Sequence, residues 1–165
     1  MQKAPANSEV ATPPEGYELV ETPWGVQMFQ RIASTCEIAG GLTGYYMNVD
    51  GACLEAATAT LLQHPLGTIP PMRSGWELLM WAENEGLRYN PADGPQYGCL
   101  SIGVTAATPY LDGEPAAHTV VLNGDDLIFN PASRFLWLDG TPTSTQSGTA
   151  AMPIMETITL KEKTR

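Results

Sequence analysis

One stretch constrains the fold of this chain more than any other: Asn48-Val49-Asp50-Gly51-Ala52-Cys53-Leu54-Glu55-Ala56-Ala57-Thr58-Ala59-Thr60-Leu61-Leu62. Asn48, Asp50 and Gly51 form a turn signal that runs straight into an apolar, alanine-rich segment. Leu54, Ala57, Leu61 and Leu62 recur near the 3–4 spacing of a helix with one buried face. Its small residues allow close packing against a sheet, and Pro65 ends it after about Gln63. Cys53 stands at the join. A helix N-terminus offers unpaired N–H groups and the positive end of the dipole, the environment that favours a thiolate. The other two cysteines, Cys36 and Cys99, show no metal-ligand or disulfide pattern with it.

The second helix is marked by its ends. Ser74 and Glu77 match a capping box and Gly86 suits a C′ position. Trp76 and Trp81 are expected in the core, with an aromatic substrate wall as the other reading for Trp76. His64, at the exit of the first helix, is expected to be an exposed polar or capping residue.

Elsewhere the chain is punctuated by 16 Gly and 14 Pro among 165 residues, which implies short elements and many turns rather than a helical bundle. Strands are predicted over 17–20 and 26–32, at 87–89, 100–107, 118–122 and 126–130, and over 135–138 and 152–160. Cys36 falls in an irregular stretch, and Gly40-Gly41-Leu42-Thr43-Gly44 is expected to let the backbone approach the turn before Cys53. The order is strands, two helices, then antiparallel strands. That predicts an α+β domain with the helices gathered on one side of the sheet. Residues 1–16 read as a flexible arm, 17–160 as the single domain and 161–165 as a polar tail.

Asn123-Gly124 between two apolar runs is a strong hairpin signal. His118 and Asn130 bracket that turn almost symmetrically, which makes them cross-strand neighbours. An asparagine there can orient one imidazole nitrogen and leave the other facing a thiol. Cys53, His118 and Asn130 thus supply a nucleophile, a base and an orienter of the base.

Gly51-Ala52-Cys53-Leu54-Glu55-Ala56-Ala57, together with His118-Thr119-Val120-Val121-Leu122 and Ile128-Phe129-Asn130-Pro131, resembles the nucleophile helix and histidine strand of papain-like cysteine hydrolases. The nearest likeness is to the compact bacterial and phage branches, the bacteriocin-processing (C39-like) and NlpC/P60 peptidases, over about residues 45–135. The resemblance implies a papain-like core in which helices pack on an antiparallel sheet. It also implies a Cys53–His118–Asn130 triad acting on an amide, isopeptide or thioester bond in a peptide substrate. Those peptidases carry an oxyanion-hole glutamine several residues before the cysteine. Here Met47 stands at about that place, and Asn48 beside it is the residue that would substitute, with the Cys53 N–H as a second donor.

The alternative is a catalytically silent module of the same fold, such as a phage protein that sequesters a host protein. Its acidic residues Asp112, Glu114, Asp125 and Asp126 would then matter most. The net charge of −10 argues against nucleic acid or anionic membrane as a general partner. No cofactor is expected, and His64 and His118 lack the spacing of a metal site. With no apolar run of signal-peptide or membrane-span length, a cytoplasmic protein of a bacterial or phage-infected cell is expected.

Overall fold

A computed structural model of the chain describes residues 11–21, 25–48, 52–106, 108–109, 115–140 and 153–162. The arm through residue 10, most of the Thr22–Gly25 turn, the Asp50-Gly51 part of the turn before Cys53, the loop with Asp112 and Glu114, residues 141–152 and the last three residues of the expected tail lie outside these ranges.

The fold is α+β, with mixed helices and antiparallel sheets among the described residues. The chain opens with β1 (Tyr17–Glu21), β2 (Gln27–Arg31), β3 (Thr35–Ile38) and β4 (Leu42–Tyr45). Two helices follow, α1 (Cys53–Leu62) and α2 (Gly75–Asn84). Then come β5 (Leu87–Ala92), β6 (Gln96–Thr105), and the two-residue β7 (Thr108–Pro109) and β8 (Pro115–Ala116). The chain continues with β9 (Thr119–Gly124), β10 (Asp126–Phe129), β11 (Phe135–Leu136) and β12 (Ile154–Glu162).

The main sheet has the order β10-β9-β6-β12-β5 and is antiparallel throughout. A smaller sheet, β1-β2-β11, joins the first strands of the domain to the segment after the β9–β10 hairpin. The β3–β4 hairpin packs near α1. Ile102, Val121, Phe129 and Ile158 from the main sheet form one core with Leu54, Ala57 and Ala59 of α1 and with Leu78 and Ala82 of α2. A second cluster gathers Met28, Met47, Ala52, Ala56, Ala132 and Phe135 between α1 and the smaller sheet. Alanine thus lets α1 serve both clusters: Ala56, Ala57 and Ala59 are fully buried.

Both helices have identifiable ends. In α2 the Ser74 hydroxyl accepts from Glu77 N at 3.2 Å, as in a capping box. The Glu77 carboxylate takes the N–H of Arg73, one residue before the cap. Helix α1 closes without glycine. Gln63 adopts φ 57°, and its side chain accepts from Thr43 N at 2.9 Å and donates to Thr43 O at 2.8 Å. This two-way clamp offsets the strain of a left-handed non-glycine residue and ties α1 to β4. His64 is exposed beyond it.

Several local expectations are corrected. Cys36 lies in β3, not in an irregular stretch. Leu42, Thr43 and Gly44 lie in β4 rather than a loop, and a Cβ on Gly44 would lie 2.6 Å from Phe129 Cε1; the approach expected toward the turn before Cys53 lies outside the described residues. Trp76 is 68% exposed and outside the core, whereas Trp81 packs against it. β5 runs on through Asn90-Pro91-Ala92, and β12 continues through Lys161 and Glu162, the first two residues of the expected polar tail.

Candidate active site

The site lies where α1 begins and the β9–β10 hairpin ends. The hairpin turns over Gly124-Asp125, with Asn123 opposite Asp126. A bulge between Leu127 and Phe129 then resets the register so that Phe129 faces Val121. The hairpin thereby delivers Asn130 to His118: His118 Nε2 lies 2.7 Å from Asn130 Oδ1. The same oxygen accepts from Ala132 N at 3.0 Å. A carbonyl oxygen has no proton to give, so Nε2 carries the hydrogen and Nδ1 is the unprotonated nitrogen. Asn130 therefore fixes the tautomer in which Nδ1 is the basic nitrogen. His118 is fully buried and Asn130 nearly so. The His118 backbone is held too, since its N–H donates to Thr105 Oγ1 at 2.9 Å and its carbonyl accepts from Thr105 N at 2.9 Å.

Cys53 is the first residue of α1 and is partly buried. The neighbour that acts on its sulfur from the sheet is Thr119, through both the hydroxyl and the backbone N–H. The ladder explains why that N–H is available. Thr119 sits opposite Val104, and the bond from Thr105 N to the His118 carbonyl makes this a non-hydrogen-bonded pair. The Thr119 N–H thus points away from β6, toward the side where β10 has already ended at Phe129. The Cys53 sulfur takes that open position. The residue that acts on the sulfur, Thr119, is thus the chain neighbour of His118.

The protonation state of the thiol differs from the expectation. Burial pushes the Cys53 thiol above its ordinary value, and the nearby Glu55 charge adds to this. The Thr119 groups and the helix-terminal N–H of Cys53 pull the other way, as a helix N-terminus should, but burial outweighs them. The resting sulfur is a thiol.

Glu55, on the same first turn, has a carboxyl pushed up by burial. Its Oε1 is buried with no hydrogen-bond partner among the described residues. The N–H groups of Glu55 and Met72 and the Arg73 charge act in the opposite direction, and Glu77 adds a like charge. The beginning of α2 therefore flanks the beginning of α1, and exposed Trp76 stands on that turn.

Asn48 is exposed. Met47, at the place of the glutamine in the resembling family, is 1% exposed and belongs to the second cluster. Its backbone is anchored on both sides: Met47 N donates to Pro131 O at 3.3 Å, and Arg134 Nη1 donates to Met47 O at 3.1 Å. Arg134 also donates to Arg31 O at 3.2 Å and so ties β2, the strand exit before Cys53 and the segment after Asn130 together. Sequence reasoning missed Arg134, because nothing local distinguishes it from a surface cation. It missed Thr119 as well, although adjacency to His118 was a usable signal.

All three cysteines are free thiols. Among the described residues no group of three or more His, Cys, Asp or Glu side chains is placed to hold a metal ion. No helix among them is long and apolar enough to cross a membrane. Comparison with protein-family models, curated proteins and solved structures finds no match for the chain.

Proposed function

We propose that this protein is a papain-like cysteine hydrolase or acyltransferase acting on an amide, isopeptide or thioester bond of a peptide substrate. The observation that carries the reading is the His118 Nε2–Asn130 Oδ1 contact at 2.7 Å, which makes Nδ1 the basic nitrogen of a residue adjacent in the chain to Thr119, the neighbour of Cys53. In the proposed reaction His118 Nδ1 takes the proton of the Cys53 thiol, and the sulfur attacks the carbonyl carbon. The imidazolium returns that proton to the departing amine or thiol as the acyl bond breaks, which leaves a thioester on Cys53. Water or an incoming amine then attacks the thioester, gives its proton to His118 and releases the sulfur, which recovers the proton. Asn130 holds the ring throughout. Asn48 serves as an oxyanion donor, and Trp76 serves as an exposed wall for the substrate chain. No cofactor takes part in this scheme.

Iodoacetamide labelling of Cys53 across pH tests the reading, with His118→Gln as the comparison. The expected result is labelling of the wild-type thiol at least tenfold faster than that of the variant at the same pH, since a positioned base contributes on the order of 10²–10⁴ to catalysis. Equal rates in the two proteins exclude it.

A second reading is favoured by the complete burial of His118 and the raised thiol: the fold is kept as a binding module whose acidic surface meets a basic partner. It predicts that charge reversal at Asp125 and Asp126 abolishes partner binding and that Cys53→Ala does not.

A further inference from the structure

We propose that Thr119 is a positioning residue for Cys53: its N–H holds the sulfur at the open edge of β9, and its hydroxyl closes on the sulfur when that atom carries charge. This rests on the hydrolase reading for its use in a reaction, though not for the contact itself. Two observations support it. Ladder geometry turns the Thr119 N–H away from β6 and beyond the last residue of β10, so the strand supplies it no acceptor. The Thr119 hydroxyl is buried, with the residue 7% exposed, and has no hydrogen-bond partner among the described residues other than the Cys53 sulfur it faces. A buried hydroxyl left without a partner costs stability, so the sulfur is the acceptor that satisfies this one. Thr119 thus presents both of its donors to the thiol.

The step is balanced within the site. The thiol proton moves to His118 Nδ1, the sulfur becomes anionic, and the Thr119 O–H donates to it beside the N–H already there. When the carbon–sulfur bond forms, the charge passes to the carbonyl oxygen and the hydroxyl is released. Hydrogen bonds to an ionised acceptor are roughly twice as strong as neutral ones, so this donor favours the charged sulfur selectively. Charge on a buried sulfur is what the site otherwise opposes.

The test is titration of thiolate absorbance near 240 nm, taken as the difference from Cys53→Ala, together with iodoacetamide rates at pH 7. Thr119→Val keeps the shape and removes the O–H; Thr119→Ser keeps the O–H. The expected result is an upward shift of the Cys53 titration by about one pH unit and a roughly tenfold slower alkylation in Thr119→Val. Thr119→Ser should stay within about twofold of wild type, a difference of under 0.5 kcal/mol. A Thr119→Val titration that matches wild type, or a Thr119→Ser variant that shifts as far as the valine, overturns the proposal. Comparing Thr119→Ala with Thr119→Ser gives the same decision if valine is not accommodated. If His118→Gln alkylates as fast as wild type while Thr119→Val is slow, the hydrolase reading fails and the Thr119 assignment stands. The reverse pattern removes Thr119 alone.

Discussion

His118 and Asn130 are joined through one oxygen that also caps the turn after it. Asn130 Oδ1 receives His118 Nε2 at 2.7 Å and Ala132 N at 3.0 Å. Asn130→Ala removes the acceptor from both donors in a buried setting. We expect a loss of about 2–4 kcal/mol in urea unfolding, from two donors at roughly 1–2 kcal/mol each. Asn130→Asp restores an acceptor and places a negative charge against the ring. That variant should recover most of the stability and raise the proton affinity of His118, seen as an alkaline shift of the imidazole signals in an NMR titration.

The buried thiol makes folding sensitive to alkali. In the folded protein Cys53 keeps its proton at a pH where the unfolded chain, with a thiol near about 8.5, has lost it. The folded state then binds more protons than the unfolded one, so stability falls as pH rises above that value. Tyr89, pushed up by burial and by Glu156, adds the same trend above about 10. Thermal midpoints between pH 7 and 10 should decline in wild type and decline less in Cys53→Ala. Equal slopes would show that the thiol is not responsible.

Glu55 behaves as a carboxyl that prefers its proton. Its folded value lies above the ordinary one, so its contribution is present below about pH 4.3 and is lost as pH rises through the folded value. Glu55→Gln removes that loss. Its thermal midpoint should exceed that of wild type at pH 7, and the gap should close near pH 4. Taking this charge away from the sulfur should also speed alkylation of Cys53. A midpoint below wild type at pH 7 would mean that the donors on the carboxylate outweigh its burial.

Gly44 and Phe129 allow no side chain between them. A Cβ at Gly44 would stand 2.6 Å from Cε1 and 2.7 Å from Cδ1 of the ring, which also packs on Tyr46 with centroids 5.1 Å apart. Gly44→Ala should cost about 1–3 kcal/mol by overpacking. Because Phe129 immediately precedes Asn130, its displacement should also slow Cys53 labelling, whereas Gly67→Ala, with open space around it, should do neither.

The helices and the hairpin were legible because their signals are local. Ser74, Glu77 and Gly86 bound α2 by hydrogen bonding within a few residues, and Pro65 with the alanine run bounds α1. The meeting of His118 and Asn130 followed from counting outward from a tight turn, although the bulge that completes it left no mark in the sequence. What was not legible depends on distant chain. The alternation Thr35-Cys36-Glu37-Ile38 is too short to announce a strand by itself, and the partners that pack on the β3–β4 hairpin, Thr60, Gln63 and Phe129, lie elsewhere in the chain, so Cys36 and Gly44 are not placed by local signals. Trp76 was expected inside because a large aromatic suits a core, but the buried face of α2 is drawn by Leu78 and Ala82. Thr119 and Arg134 draw their roles from the ends of strands, which propensity does not locate.

The bulge between Leu127 and Phe129 separates the spelling of the site from its spacing. Ile128 is the surplus residue there: Leu127 is opposite Leu122 and Phe129 is already opposite Val121. A relative lacking Ile128 would run an unbroken ladder with Phe129 still facing the core and Asn130 still on the face of His118. A relative with one more residue at the same place would turn both over, sending the ring outward and the amide inward. The hairpin should therefore accept deletions and reject insertions. Chains that share this chemistry are better sought by the length of the 119–130 segment than by the identity of its residues alone.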